Sequence, residues 1–289
     1  MTPTITAIAP WYGSNRLLAH EVGPRLRGCK WVGIPFGGGM CELTSLADDD
    51  LPRTINVGEM HPHVVNLASV IAHPALSNQL REHVYDLPHD PDVLSQAQKR
   101  CRDRESHDLE NWFGTVEVLG GPDLPWAIDY FVSVWMSRSG CAGTRTEFNA
   151  PQSVRWDAGG GDSATRVRNA CDGITAWQRI MRKCTFVRCN VFAFLDKCND
   201  WPENGLYLDP PFPEKGDDYK YVFSISDHRK LAKRLRYFDA AHILCRFYDH
   251  SLIRELYPET SWRWEFLKGG KTQTNEAAPE VLISRRLAA

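Results

Sequence analysis

GLYLDPPFPEKGDD, residues 205–218, decides how the chain is read. The apolar run Leu206-Tyr207-Leu208 reads as the end of a buried strand. Pro210 and Pro211 carry no backbone N–H, so a sheet ladder stops there. A rigid turn follows, carrying one acid, Asp209, and one aromatic ring, Phe212. In an open α/β sheet, ligands bind beyond the carboxyl ends of the strands. The turn is therefore the first candidate site.

Strands and helices alternate on both sides of it. Residues 29–36 and 53–60 read as strands, and 61–73 as a helix with Val64, Leu67, Ala68 and Ile71 at helical spacing. Residues 184–195 read as a strand running into a helix. Residues 226–238 read as a helix with Ser226 as N-cap, 241–249 as a strand, 251–257 as a short helix and 280–286 as a final strand. This alternation predicts an α/β sheet. The middle, about 86–184, is polar and rich in Arg, Trp and Gly, and reads as an insertion.

The 289 residues are 43% apolar and 24% charged, an ordinary globular composition. Net charge is −2, so no global excess demands a nucleic-acid partner. Nine cysteines without a CxxC pair read as thiols, not as a zinc site or disulfide framework. His61-Pro62-His63 reads as a surface histidine pair, since no carboxylate stands at ligand spacing; no metal is expected. The first residues lack a basic and apolar leader, and no run reaches the ~20 apolar residues of a membrane span. A cytoplasmic protein with no membrane partner is expected.

A second motif stands in VGIPFGGGMCEL, where Gly37-Gly38-Gly39 follow a strand. Without Cβ atoms, such a turn lets a cofactor approach closely. No Gly-Lys-Ser/Thr follows, so it is not a phosphate P-loop. An acid that binds ribose hydroxyls is expected about 20 residues on, and Glu59 stands there, at the end of the next strand.

Asp209 to Phe212 suit one chemistry well. An exocyclic amine on a nucleobase is a poor nucleophile because its lone pair is shared with the ring. A carboxylate and a proline-fixed backbone carbonyl can hold its two hydrogens and turn the lone pair toward an electrophile. Phe212 can stack on the base. The electrophile would be a methyl sulfonium delivered from the glycine site, with catalysis mostly by orientation.

The ordered set of motifs resembles the Dam-type (D12-class) N6-adenine DNA methyltransferases. PWYGSNRLL (10–18) resembles the family's N-terminal cofactor motif, PFGGG (35–39) its glycine motif and INVGEMHPHVVNL (55–67) the strand bearing its ribose-binding acid. WMSRSGCAGTR with FNAP (135–151) resembles the exit from its target-recognition region. NVFAFL (190–195) is similar to the motif whose Phe packs near the cofactor adenine, YLDPPF to the catalytic motif and EVLISR to the terminal strand. The chain departs at Asn15 where Lys is usual, Ile34 and Val191 where acids are usual, Glu59 where Asp is usual and Phe212 where Tyr is commoner. The resemblance implies a Rossmann-like S-adenosylmethionine-dependent methyltransferase sheet with a mostly helical inserted target-recognition domain. It implies S-adenosyl-L-methionine as cofactor, held by Trp11, Asn15, Phe36, Gly37, Gly38, Gly39, Glu59 and Phe192. Catalysis would fall to Asp209, Pro210, Pro211 and Phe212. Duplex DNA is the expected partner of a monomeric enzyme. A separate cognate restriction endonuclease is expected where the enzyme serves restriction–modification.

Asp-Pro-Pro-Phe also occurs in RNA base amino-methyltransferases, and a weakened DNA-binding relative would keep the same motifs. Spacing separates these readings. In a minimal fold, about 60–80 residues, or two βα units, part the glycine and catalytic motifs; here Gly39 and Asp209 stand 170 apart. A structureless loop of that size is implausible, and a recognition insertion accounts for it. The expected organisation is a catalytic domain over 1–72 and 184–289 with an inserted domain over 73–183. Residues 138–188 hold nine Lys/Arg and four acids, a local +5. Arg138, Arg145, Arg155, Arg166 and Arg168, interleaved with Trp135, Trp156 and Trp177, are the expected DNA contacts.

Overall fold

The structure, a computed structural model, describes residues 6–14, 18–47, 53–109, 116–117, 120–138, 140–154, 156, 162–213, 218–267 and 280–285. The fold is α/β. Strands β1 (Trp31–Ile34), β2 (Thr54–Glu59), β3 (Cys184–Arg188), β4 (Asn204–Leu208), β5 (His242–Tyr248), β6 (Trp262–Phe266) and β7 (Glu280–Arg285) form one seven-stranded sheet. Its order is β3-β2-β1-β4-β5-β7-β6. The first five strands run parallel, and β7 runs antiparallel to both neighbours. The strand order reverses between β1 and β4, and a crevice opens at such a reversal. The arrangement is compatible with the expected Rossmann-like sheet.

Side-chain alternation shows why the sheet is covered on both faces. Tyr207, Leu244 and Leu282 join one apolar cluster, while Leu206, Leu208, Ile243, Cys245, Val281 and Ile283 join another. Successive residues of a strand point to opposite faces, so each cluster lies against one face. The first cluster takes in α3 (Pro62–Ala72), α4 (Pro74–Asp86), α5 (Pro91–Leu109), α6 (Leu124–Met136) and α7 (Ser163–Met181). The second takes in α8 (Val191–Leu195), α9 (Ile225–Leu235) and α10 (Ser251–Leu256). Two short helices, α1 (Ala19–Arg25) and α2 (Leu43–Leu46), pack on each other near β1.

Among the described residues, the segment between β2 and β3 is mostly helical. Residues of α4 to α7 share a single apolar cluster with β1, β2 and α3. Three sequence readings need correction. The capping residue of α9 is Ser224, not Ser226. Its hydroxyl accepts the Asp227 N–H, and the Asp227 carboxylate accepts the Ser224 N–H, a reciprocal box that fixes the start two residues earlier. Strand β6 was not expected, although Trp262, Trp264 and Phe266 alternate with charged residues there. His61 and His63 are fully buried, not on the surface. No helix among the described residues is long and apolar enough to cross a membrane. None of the nine cysteines is in a disulfide.

Candidate active site

Asp209 directly follows β4, and Leu208 pairs with Cys245 of β5. One step further along this register, Asp209 meets Arg246. The Arg246 Nη1 donates to both Asp209 carboxylate oxygens, at 3.2 and 2.9 Å. Its Nε and Nη2 reach Oε2 of Glu280 on β7, at 3.2 and 3.0 Å. The Arg246 side chain is only 5% exposed, whereas that of Asp209 keeps 17%. Burial raises the Asp209 carboxyl above its ordinary value; Arg246 and a hydrogen bond from Tyr207 pull it back down. Burial alone would lower Arg246, but Asp209, Tyr207 and Glu280 outweigh it and hold the guanidinium firmly charged. Sequence reading missed Arg246, because its partner is set by the register of two strands and not by chain spacing.

Phe212 is half-buried. Tyr248 meets it edge-on at 4.4 Å, and the Arg246 guanidinium lies 5.2 Å from its centroid. A second aromatic group gathers beside it. Phe36 after β1 packs edge-on against Phe223 at 5.4 Å, and Phe192 of α8 stacks with Phe223 at 6.4 Å. The Lys230 ammonium sits 3.8 Å above the Phe192 ring. Phe223 was not among the expected site residues. His228 lies beneath it, ring centroids 4.8 Å apart, and burial drops its imidazole to about 4.

The glycine turn is organised by Glu59. Its Oε2 accepts the Gly38 N–H at 2.8 Å and its Oε1 the His61 N–H at 2.9 Å. The absent glycine side chains make room for protein. A Cβ on Gly38, where φ is +47°, would stand 3.0 Å from the Trp11 indole nitrogen. One on Gly143, at φ +80°, would stand 2.6 Å from the same indole. Trp11 is thus wedged between the glycine turn and the segment before η1 (Glu147–Asn149). Glu42, five per cent exposed, is a buried acid that sequence reading passed over. Burial, with Asp209 and Glu59 adding to it, pushes its carboxyl up to about 8.

A closed ionic knot lies behind Trp11. His61 Nε2 and Glu147 Oε1 are 2.6 Å apart, and Lys220 Nζ binds the same oxygen at 2.7 Å and also pairs with Glu105. The Gly143 N–H takes the other Glu147 oxygen at 2.8 Å. Ligand atoms of His61, Glu105 and Glu147 lie within 4.8 Å of one another, a spacing that suits a metal ion. The Lys220 ammonium already supplies the positive charge there. Glu147 stands 86 residues from His61, which is why no carboxylate partner was visible in the sequence.

The sequence-predicted residues divide clearly. Phe36, Glu59, Phe192 and Asp209 follow or end the adjacent parallel strands β1, β2, β3 and β4 at their carboxyl edge, with Gly37 to Gly39 and Trp11 alongside. Pro210 and Pro211 carry the chain off that edge. Arg138, Arg145 and Arg168 are exposed. Arg166 donates to the carbonyls of Trp135 and Ser137. Trp135 and Trp177 are buried core residues; Trp156 is 89% exposed. Asn15 and Arg155 lie outside the described residues. No protein-family model matches the chain, and no curated protein does.

Proposed function

We propose that the chain is an S-adenosylmethionine-dependent methyltransferase acting on the N6 amine of an adenine flipped out of duplex DNA. One observation carries the reading. An acid on a proline-fixed turn and an acid organising a glycine turn share one sheet edge, beside the reversal of strand order. The site chemistry fits the cofactor. Glu59 is a fixed acceptor for ribose hydroxyls, and Phe36, Phe192 and Phe223 form an aromatic group suited to an adenine ring. When bound, the cofactor supplies an electrophilic methyl group.

The chain's own residues then do three things. Asp209 accepts one amine hydrogen, and the Pro210 carbonyl accepts the other. Phe212 stacks on the base that has left the duplex, an extrusion that costs a few kcal/mol. Exposed Arg138, Arg145 and Arg168 contact phosphates, which makes binding strongly salt-dependent.

The test is methyl transfer from labelled S-adenosylmethionine to duplex DNA, with total RNA competing. Label in DNA adenine is the expected result. Label confined to RNA moves the enzyme to the RNA base class. Cofactor binding without transfer to any nucleic acid makes it a DNA-binding relative.

A further inference from the structure

Arg246 is a costly residue for its position. It stands near the end of a central strand, is 4% exposed, and has two acids about it. A buried ion pair is weak evidence for stability, since desolvation consumes most of the Coulombic gain. An apolar side chain would fill the same place in the sheet. What an apolar side chain would not do is fix a carboxylate that retains an open side.

The geometry is specific. Arg246 binds Asp209 through a single nitrogen, Nη1, and spends Nε and Nη2 on Glu280. The guanidinium plane is therefore held from the far side by β7. A carboxylate has about four acceptor directions; the contacts from Arg246 and Tyr207 leave room on the 17% of the side chain that stays open. The same guanidinium also lies against the Phe212 ring. One buried cation thus touches the acid and the aromatic of the same turn.

The charges around Asp209 point the same way. Tyr207 hydrogen-bonds to it, and Glu280, Glu42, Tyr219, Tyr248 and Cys245 act through the field. Among the described residues acting on Asp209 here, Arg246 is the cation.

Resting on the methyltransferase reading, we propose that Arg246 is a positioning residue that holds Asp209 ionised and in one orientation for methyl transfer. In that step the amine lone pair forms the new N–C bond, and the S–C bond electrons return to sulfur. The amine then loses one proton to solvent. Asp209, paired with a guanidinium, serves as hydrogen-bond acceptor and not as the final proton store.

The test compares wild type with Arg246→Gln, Arg246→Lys and, as a control, Glu280→Gln. Thermal melts select the variants that fold. Arg246→Gln is expected to lower kcat about 100-fold, the scale of a 1 Å misplacement, with KM for the cofactor within about twofold. Its acid limb of kcat should move upward by about one pH unit, and Arg246→Lys should recover part of both losses. Glu280→Gln, which leaves the Asp209–Arg246 contact in place but removes a negative charge that raises Asp209, should not move the acid limb upward. Carboxyl 13C NMR titration, with Asp209 assigned from its absence in Asp209→Asn, reads the same effect without turnover. A higher Asp209 titration in an Arg246 variant is expected; an unchanged titration and acid limb overturn the proposal. A wild type that transfers no methyl group defeats the methyltransferase reading, and the NMR titration still decides whether Arg246 holds Asp209 ionised.

Discussion

Two buried ionic clusters flank the carboxyl edge of the sheet, and they are built differently. Asp209, Arg246 and Glu280 come from or adjoin three neighbouring strands, so register alone brings them together. His61, Glu105, Glu147 and Lys220 come from four separate segments. In the strand cluster the acid keeps 17% of its side chain open. In the knot, Glu147 is 1% exposed and His61 is closed off entirely, with both Glu147 oxygens occupied. An ion pair with an open end has acceptor capacity left for a ligand. One whose carboxylate has both oxygens occupied and no exposed side ties segments together.

The sharpest way to break this contrast is to delete each cluster's central member and read activity and stability separately. Asp209→Ala is expected to lower methyl transfer by ~1,000-fold, the scale of removing one preorganised polar group from a transition state. Cofactor affinity by calorimetry should stay within about twofold. Retained transfer removes Asp209 from the mechanism. Lys220→Met should do the opposite. It leaves Glu147 and Glu105 without their shared cation and is expected to cost about 3 kcal/mol in urea unfolding. The kcat of the folded fraction should change less than about fivefold. A kcat loss with unchanged stability would make the knot part of the chemistry and dissolve the distinction.

The same edge also predicts how stability responds to acid. His228 lies against Phe223 and Phe247, faced by the Pro211 carbonyl, with Asp227 and His250 in electrostatic reach. Burial lowers its imidazole from 6.5 to about 4. A histidine depressed in the folded state contributes stability above its unfolded value and loses it as pH falls toward the folded one. Wild type should therefore lose about 2 kcal/mol from this group between pH 7 and 4.5. His63, depressed by burial and by His61, adds to the trend. Urea midpoints at pH 7 and 4.5 should differ less in His228→Leu than in wild type; an equal difference means that His228 is not buried as a neutral ring.

The contrast between the clusters also explains what was legible in the sequence. The Asp-Pro-Pro-Phe turn and the glycine turn were visible because proline and glycine act locally, on the residues beside them. The open cluster was half visible: Asp209 announced itself, while Arg246 looked like any charged residue in a strand. Its meaning depends on which residue the register places opposite, and no spacing rule supplies that. The closed knot was invisible for the same reason, compounded by an 86-residue separation. With no carboxylate at ligand spacing in the sequence, His61 and His63 resembled a surface pair. Trp177 was different, since the signal for its burial was present. Val167, Ala170, Cys171, Ile174, Trp177 and Met181 recur at helical spacing on α7, and the nearby arginines drew the reading toward a nucleic-acid surface.

The smallest expected effect probes the link between the two clusters. Segment 218–224 carries Lys220 in the knot, Phe223 in the aromatic group and Ser224 at the cap of α9. It is stapled to the region before η1, through Lys220 N–H to Gly143 and Arg145 N–H to Asp218, and Tyr219 bonds the Tyr12 carbonyl. Ser224→Ala removes the side-chain half of the capping box and should cost about 1 kcal/mol. The informative measurement is the double variant with Lys220→Met. If the knot only ties segments, the two losses act on different anchors and should add within about 0.5 kcal/mol. A coupling larger than about 1 kcal/mol would mean that the segment orders as one piece. Strain at the knot would then reach Phe223 and the aromatic group, and the closed cluster would bear on the site after all.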